Sequence, residues 1–200
     1  TVLYTPPADL EVMKVTAPTA AQGGKQVTIS WTVANNGQNA TDREQWADAI
    51  YVSSDAKLHD GQGTEWLVFG VPHYGKLDPG QQYTQEATFT LPPAAEGSRI
   101  FVETNVDPEM LMTDQELLLH EVGQIIERAN AAAAEKPLEQ LTRREIINIL
   151  LGPGPEVVFE GPWTTNNAKA ADCRVVGLKP DLAVTRVSYN GPAFSGDPIQ

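Results

Sequence analysis

From Val27 the chain alternates strictly, with Val27, Ile29, Trp31 and Val33 separated by Thr28, Ser30 and Thr32. A period of two buries one face of a β-strand, and Asn35-Asn36-Gly37 has the composition of the turn that would follow. Shorter apolar runs come next: Ala49-Ile50-Tyr51-Val52, Trp66-Leu67-Val68-Phe69 and Ile100-Phe101-Val102. Between the last two, Tyr83, Ala87, Phe89 and Leu91 alternate with polar residues up to Pro92-Pro93. Turn residues separate these runs at Asp60-Gly61, Pro72, Asp78-Pro79-Gly80 and Glu96-Gly97. Counting the segment Asp9 to Thr16, six strands are in sight by Thr104. Short strands at this spacing predict an antiparallel β-sandwich of immunoglobulin type, one strand short of about seven.

The period then changes. Leu118, Val122, Ile125, Ile126 and Ala129 fall at helical spacing, and Thr113 with Glu116 has the form of a capping box. A second helix is signalled by Thr142 with Glu145, the run Ile146 to Leu151, and the stop Gly152-Pro153. β character returns from Lys169 to Leu178, after Asn166-Asn167. The expected architecture is therefore mainly β, a sandwich with an α-helical hairpin inserted at about 113–156, before its final strand. Such an insert is tolerable because loop-closure entropy grows slowly with length.

An internal repeat sharpens the division of the chain. Asp9-Leu10-Glu11-Val12-Met13-Lys14-Val15-Thr16 returns as Asp181-Leu182-Ala183-Val184-Thr185-Arg186-Val187-Ser188, and Gly24 falls on Gly196 at the same offset. Self-similarity at a fixed offset marks an array. We expect one domain over 6–178 and the start of a second, truncated copy over 179–200. The chain opens on Thr1 without a methionine and stops at Gln200 in a strand-like run, so it reads as a piece of something longer.

Composition narrows the function classes. With 26 acids against 14 bases the net charge is −12, and the isoelectric point lies near 4.6. That balance repels nucleic-acid phosphates, and no basic stripe with interleaved aromatics occurs. The apolar stretches fall short of a bilayer span. Cys173 is the lone cysteine, so a disulfide framework and a thiolate zinc site are excluded.

Several residues invite a chemical reading, and each has a simpler one. His120-Glu121-Val122-Gly123-Gln124 approaches the zinc-protease helix, but Gln124 stands where the second histidine must be and an amide is a poor zinc ligand. His59 and His73 lie in the sandwich half and offer it no third ligand. Asp55, Asp60 and Asp48 could present carboxylate oxygens to Ca²⁺, yet the spacing of a dedicated calcium loop is missing and Asp beside Gly is ordinary turn chemistry. Asp107, Glu109 and Asp114 read as residues preceding and capping the first helix. Trp31 belongs to the core. Trp46, Trp66 and Trp163 could line a sugar-binding face, or pack in the core and at the domain junction. Neither a nucleophile elbow nor a distinguishable pair of glycosidase carboxylates occurs. The expectation is thus no catalytic, cofactor-binding or metal-ligating residue, and no cofactor.

The ordered set Pro7-Ala8-Asp9-Leu10 to Val15, Val27 to Val33 with Trp31, Asn36-Gly37, Ile50 to Asp55 with Leu58 and Asp60, and Leu77-Asp78-Pro79-Gly80 with Tyr83 resembles the CARDB family. These "cell adhesion related domain found in bacteria" modules are immunoglobulin-like sandwiches occurring as tandem copies in bacterial and archaeal surface proteins. The resemblance covers roughly 6–107 and 164–178 and does not include the helical insert. It implies a non-catalytic structural or adhesive module, located outside the cell or on its surface. Its partners would be neighbouring modules of the same polypeptide and a surface protein or glycan. The alternative is an accessory carbohydrate-binding or substrate-positioning domain of a secreted enzyme. The insert would form an interaction surface or a spacer between modules.

Overall fold

A computed structural model describes residues 6–112, 114–135 and 157–178, with isolated positions 137, 140, 141, 146 and 149; side chains of 114–121 and 135 are outside it. The strands are β1 (Leu10–Thr16), β2 (Ala20–Gln22), β3 (Gln26–Asn35), β4 (Gln45–Ser53), β5 (Glu65–Tyr74), β6 (Gln82–Thr90), β7 (Gly97–Val106) and β8 (Ala168–Val176). They form a three-stranded sheet, β1-β3-β6, and a five-stranded sheet, β2-β8-β7-β4-β5. One 22-residue helix, α1 (Asp114–Glu135), lies between β7 and β8, after a 3-10 turn at Pro108–Leu111. The expected immunoglobulin-like sandwich is present, with seven strands by Val106 rather than six. The extra one, β2, is three residues long and too short to show a period. It pairs parallel with β8, so the five-stranded sheet is mixed where a purely antiparallel one was expected.

Alternation in β3 works as its sequence implies. Val27, Ile29, Trp31 and Val33 point inward and are buried. Outward-facing Thr28 and Thr32 bond across to Thr88 and Thr84 of β6, each at 2.8 Å. The run Ala49 to Val52 in β4 is continuous rather than alternating because both faces of that strand are covered. Trp46, Ile50 and Val52 pack between the sheets. Ala49 and Tyr51 pack on the opposite face with Phe101 and Val106, beneath Leu58 and Leu111. A strand buried on both faces needs no polar partner residues.

The segment Asn35-Asn36-Gly37 is not a tight hairpin. β3 and β4 lie in different sheets, and Gly37 is not among the glycines with left-handed φ. Gly37 is needed for closeness: a Cβ there would sit 2.6 Å from both the Asp9 nitrogen and the Pro7 oxygen. Asn35, fully buried, satisfies this corner by accepting from the nitrogens of Asp9 (3.1 Å) and Gly37 (3.0 Å) and donating to the carbonyls of Asn39 (2.8 Å) and Leu77 (2.9 Å). At Asp78-Pro79-Gly80, by contrast, Gly80 has φ 76° and the Gln81 nitrogen bonds the Asp78 carbonyl at 3.0 Å, a type II turn.

Of the expected helical hairpin, α1 is present from Asp114 onward. Thr113 and most of Thr142 to Leu151 lie outside the described residues, although Ile146 and Ile149 are helical and Arg128 Nε donates to the Ile149 carbonyl at 2.8 Å. The expected second copy, 179–200, also lies outside them. Asp107 caps the 3-10 turn rather than α1, its carboxylate accepting from the Glu109 nitrogen at 3.0 Å.

Close approach at Gly37 gives a direct test. Gly37→Ala is expected to destabilise the protein by roughly 1–3 kcal/mol through overpacking. Gly123→Ala, which meets open space in α1, should be neutral or slightly stabilising. Urea unfolding of both variants measures the difference, and equal midpoints would contradict the packing argument.

Candidate functional site

The chemistry-bearing side chains fall into four groups, beginning inside the sandwich. Asp48 is in phase with Trp46, Ile50 and Val52 and so points between the sheets, fully buried. Trp31 Nε1 of β3 donates to its Oδ2 at 2.6 Å, and the Tyr83 hydroxyl of β6 donates at 2.9 Å and 3.0 Å to its two oxygens. Trp46 Nε1 donates to the Tyr83 oxygen at 3.1 Å, and His73 is stacked between Trp46 and Tyr83 with centroids 4.1 Å and 4.0 Å away. Burial pushes the Asp48 carboxyl up to about 6, against the hydrogen bonds from Thr104, Trp31 and Tyr83 that favour its charged form. Burial likewise lowers His73 and, with the charge of Asp48, raises Tyr83. Asp48 is thereby removed from the calcium candidates, because its oxygens are occupied between the sheets.

Glu160 forms the second group, and sequence reasoning did not find it. It is buried where the chain re-enters the sandwich after the insert. Its carboxylate accepts from the Leu10 nitrogen at 2.6 Å, from Asn167 Nδ2 at 2.7 Å and from Asn105 Nδ2. Asn105, with φ 60°, also pairs with Val158 through both amide atoms, at 2.9 Å and 2.7 Å. Both stalks of the insert are therefore tied to one buried carboxylate. Burial raises its pKa, while the three donors oppose that shift. The only sequence signal was the pair of asparagines flanking the insert, Asn105 and Asn167.

The third group clasps the 54–64 loop. His59, at φ 60°, places Nδ1 3.1 Å from Glu65 and Nε2 3.0 Å from Glu103, and meets the Tyr51 ring edge-on at 5.2 Å. Two ring nitrogens facing two carboxylates require both to carry protons, which is the imidazolium form. Burial pulls the His59 pKa down, but Glu103 and Glu65 together outweigh it and raise it. Asp55 and Asp60 in the same loop do turn chemistry, accepting from the nitrogens of Ala56 (2.5 Å) and Gln62 (2.9 Å). Among the described residues no three of His, Cys, Asp and Glu converge as a metal site. The side chains of His120 and Glu121 lie outside the described residues.

Tryptophans make up the fourth group. Trp31 and Trp46 are core. Trp66 is 36 % exposed on β5 and Trp163 39 % exposed, so the structure brings no row of tryptophans together on one face. Trp163 instead borders an open cleft of about 130 Å³ whose other walls are Pro6, Pro7, Asp9, Asn36, Gly37 and Gln38. Cys173 is buried as a small core side chain.

Two pH dependences follow. The folded Asp48 carboxyl holds its proton to about 6, the unfolded one only to 3.8. Its contribution is therefore complete below about pH 4 and is lost as pH rises through about 6. The thermal stability of the wild type relative to Asp48→Asn should fall across that window; a pH-independent difference would contradict the shift. His59, raised in the folded state, contributes fully below its unfolded pKa of 6.5 and loses that contribution as pH rises through the folded value. His59→Gln should lower the melting temperature at pH 5.5 and have little effect at pH 9.

The family model CARDB matches residues 7–116, more than half of the 200 residues, from the proline before β1 into α1. Among solved structures the chain is similar to the CARDB domain of a Pyrococcus furiosus protein in complex with di-metal ions, at 16 % identity and a TM-score of 0.39, covering 88 % of this chain and 95 % of that one. A solution structure of that domain gives the same identity and TM-score over 86 % and 98 %. A β-glucosidase from Listeria innocua in complex with isofagomine is similar at 15 % identity and a TM-score of 0.32, over 50 % of this chain and 14 % of the enzyme. No curated protein matches the sequence. The match over 7–116 spans β1 to β7, including the corner at Gly37 and the turn at Gly80, and by it the chain belongs to the CARDB family.

Proposed function

We propose that this chain is a non-catalytic structural and adhesive module of a larger secreted or cell-surface repeat protein. The observation that carries the reading is the CARDB match over residues 7–116, since CARDB domains occur in surface proteins. The use made of the ionisable groups supports it. Asp48 joins the two sheets, Glu160 ties the insert stalks and His59 clasps a loop, so each is engaged in holding the fold. Among the described residues no helix is long and apolar enough to cross a membrane. A net charge of −12 favours solubility of a displayed module.

In this reading residues 6–178 are one module and 179–200 begin the next, as the offset between Asp9 and Asp181 suggests. Repetition would then supply avidity from weak individual contacts. The insert between β7 and β8 serves as spacer or contact surface between modules.

Deleting 6–178 from the full-length protein should reduce attachment of intact cells, measured as the fraction retained under flow. Unchanged attachment would overturn the adhesive reading. A catalytic domain in the full reading frame, without further copies of this module, would favour the accessory-domain alternative.

A further inference from the structure

The Trp163 cleft is built from inside the fold. The Trp163 nitrogen bonds the Glu160 carbonyl at 3.3 Å across a turn in which Gly161 has φ 61°. Glu160 is in turn fixed by Leu10, Asn105 and Asn167, so the backbone beneath the exposed indole is anchored on a buried carboxylate. The opposite wall is equally fixed, because Gly37 is pressed against Pro7 and Asp9 with no room for a side chain. A flat apolar surface held without further ordering cost suits binding, since less conformational entropy is lost on association.

The polar groups at this cleft have unused capacity. Asp9 accepts from Asn166 Nδ2 through Oδ1 at 2.9 Å, leaving Oδ2 without a partner among the described residues. Asn36 commits its amide nitrogen to Glu11 at 2.7 Å and keeps its carbonyl oxygen. Gln38 is exposed and makes no side-chain hydrogen bond to the described residues, so it offers both donor and acceptor. An aromatic plane beside proline carbons, rimmed by acceptors and one amide, complements a pyranose ring. Such a ring has an apolar C–H face and equatorial hydroxyls that both donate and accept. Charge selects further: Asp9 and a surface with net charge −12 repel uronic or sulfated sugars.

We propose that this cleft binds a neutral pyranose ring of a glycan, with Trp163 as the stacking platform and Asp9, Asn36 and Gln38 as hydroxyl partners. The inference rests on the adhesive reading, whose partner it names.

The test is titration of the whole 200-residue chain with neutral gluco-, manno-, xylo- and N-acetylglucosamine hexasaccharides, followed by amide and indole NMR shifts. Polygalacturonate and a proline-rich decapeptide serve as comparisons. At least one neutral oligosaccharide should move the Trp163 indole signal saturably, and polygalacturonate should not. Trp163→Ala should weaken that binding about tenfold or more. Gln38→Ala should weaken it less, and Trp66→Ala should leave it unchanged. Should Trp163→Ala fail to fold, judged by its thermal melt, Trp163→Phe and Gln38→Ala carry the same comparison. Absence of neutral-sugar binding, unchanged affinity in the Trp163 variants, or occupation of the cleft by the peptide alone would overturn the proposal. Cell attachment that is lost on deleting 6–178 but survives Trp163→Ala would overturn this inference while leaving the adhesive reading in place.

Discussion

Asp48 holds a position that the rest of the sandwich has to accommodate. Its carboxylate lies between the sheets, where an unpaired charge would be costly, and hydrogen-bond donors from the opposite sheet supply the compensation. Trp31 and Tyr83 can reach it only if β3 and β6 are in one register relative to β4. A one-residue slip of β3 would turn Trp31 outward and leave the carboxylate without its shortest bond. The apolar core supplies most of the burial and also resists a one-residue slip, but a two-residue slip keeps its side chains facing inward, and the core alone tolerates that. A polar junction of this kind does not, and the stack of Trp46, His73 and Tyr83 beside it carries the same constraint out to β5.

Glu160 solves a different problem. Some 60 residues placed before the last strand separate β7 from the strand that must pair with it. Asn105 and Val158 pair where the insert leaves and returns, and Glu160 joins both to the start of β1. The sandwich is thereby closed on the near side of the insert, so β8 adds to β7 as it would in an uninterrupted module. The same carboxylate fixes the turn that displays Trp163, so the anchoring of the insert and the presentation of the cleft share one residue.

How much of this was legible in the sequence depended on whether a residue's role showed as a period. The inward face of β3 and the Pro-Gly turn at Asp78 to Gly80 are local, and local patterns reported them correctly. β2 escaped notice because three residues carry no period and its pairing with β8 spans about 150 positions. Asp48 did leave a trace, being an acid in phase with Trp46, Ile50 and Val52, but its carboxylate alone also grouped it with Asp55 and Asp60 as a possible calcium ligand. Glu160 left almost none, since one acid among 26 is distinguished only by the donors that tertiary structure brings to it. For the candidate site, Trp163 was legible as one of three tryptophans. Its companions Asp9, Asn36 and Gln38 were not, because they meet it only after the chain returns from the insert.

The parallel pairing of β2 with β8 bears on how the module meets mechanical load. β2 comes early and β8 late in the described chain, and Arg174 to Thr19 and Gly23 to Val176 extend their contact by backbone bonds of 3.0 Å and 2.9 Å. When two such strands run the same way, tension applied through the chain on either side draws them past each other along their length. The bonds between them must then fail together in shear rather than one at a time as in a zipper. A short, nearly featureless strand thus makes its pairing with β8 the force-bearing seam of the domain.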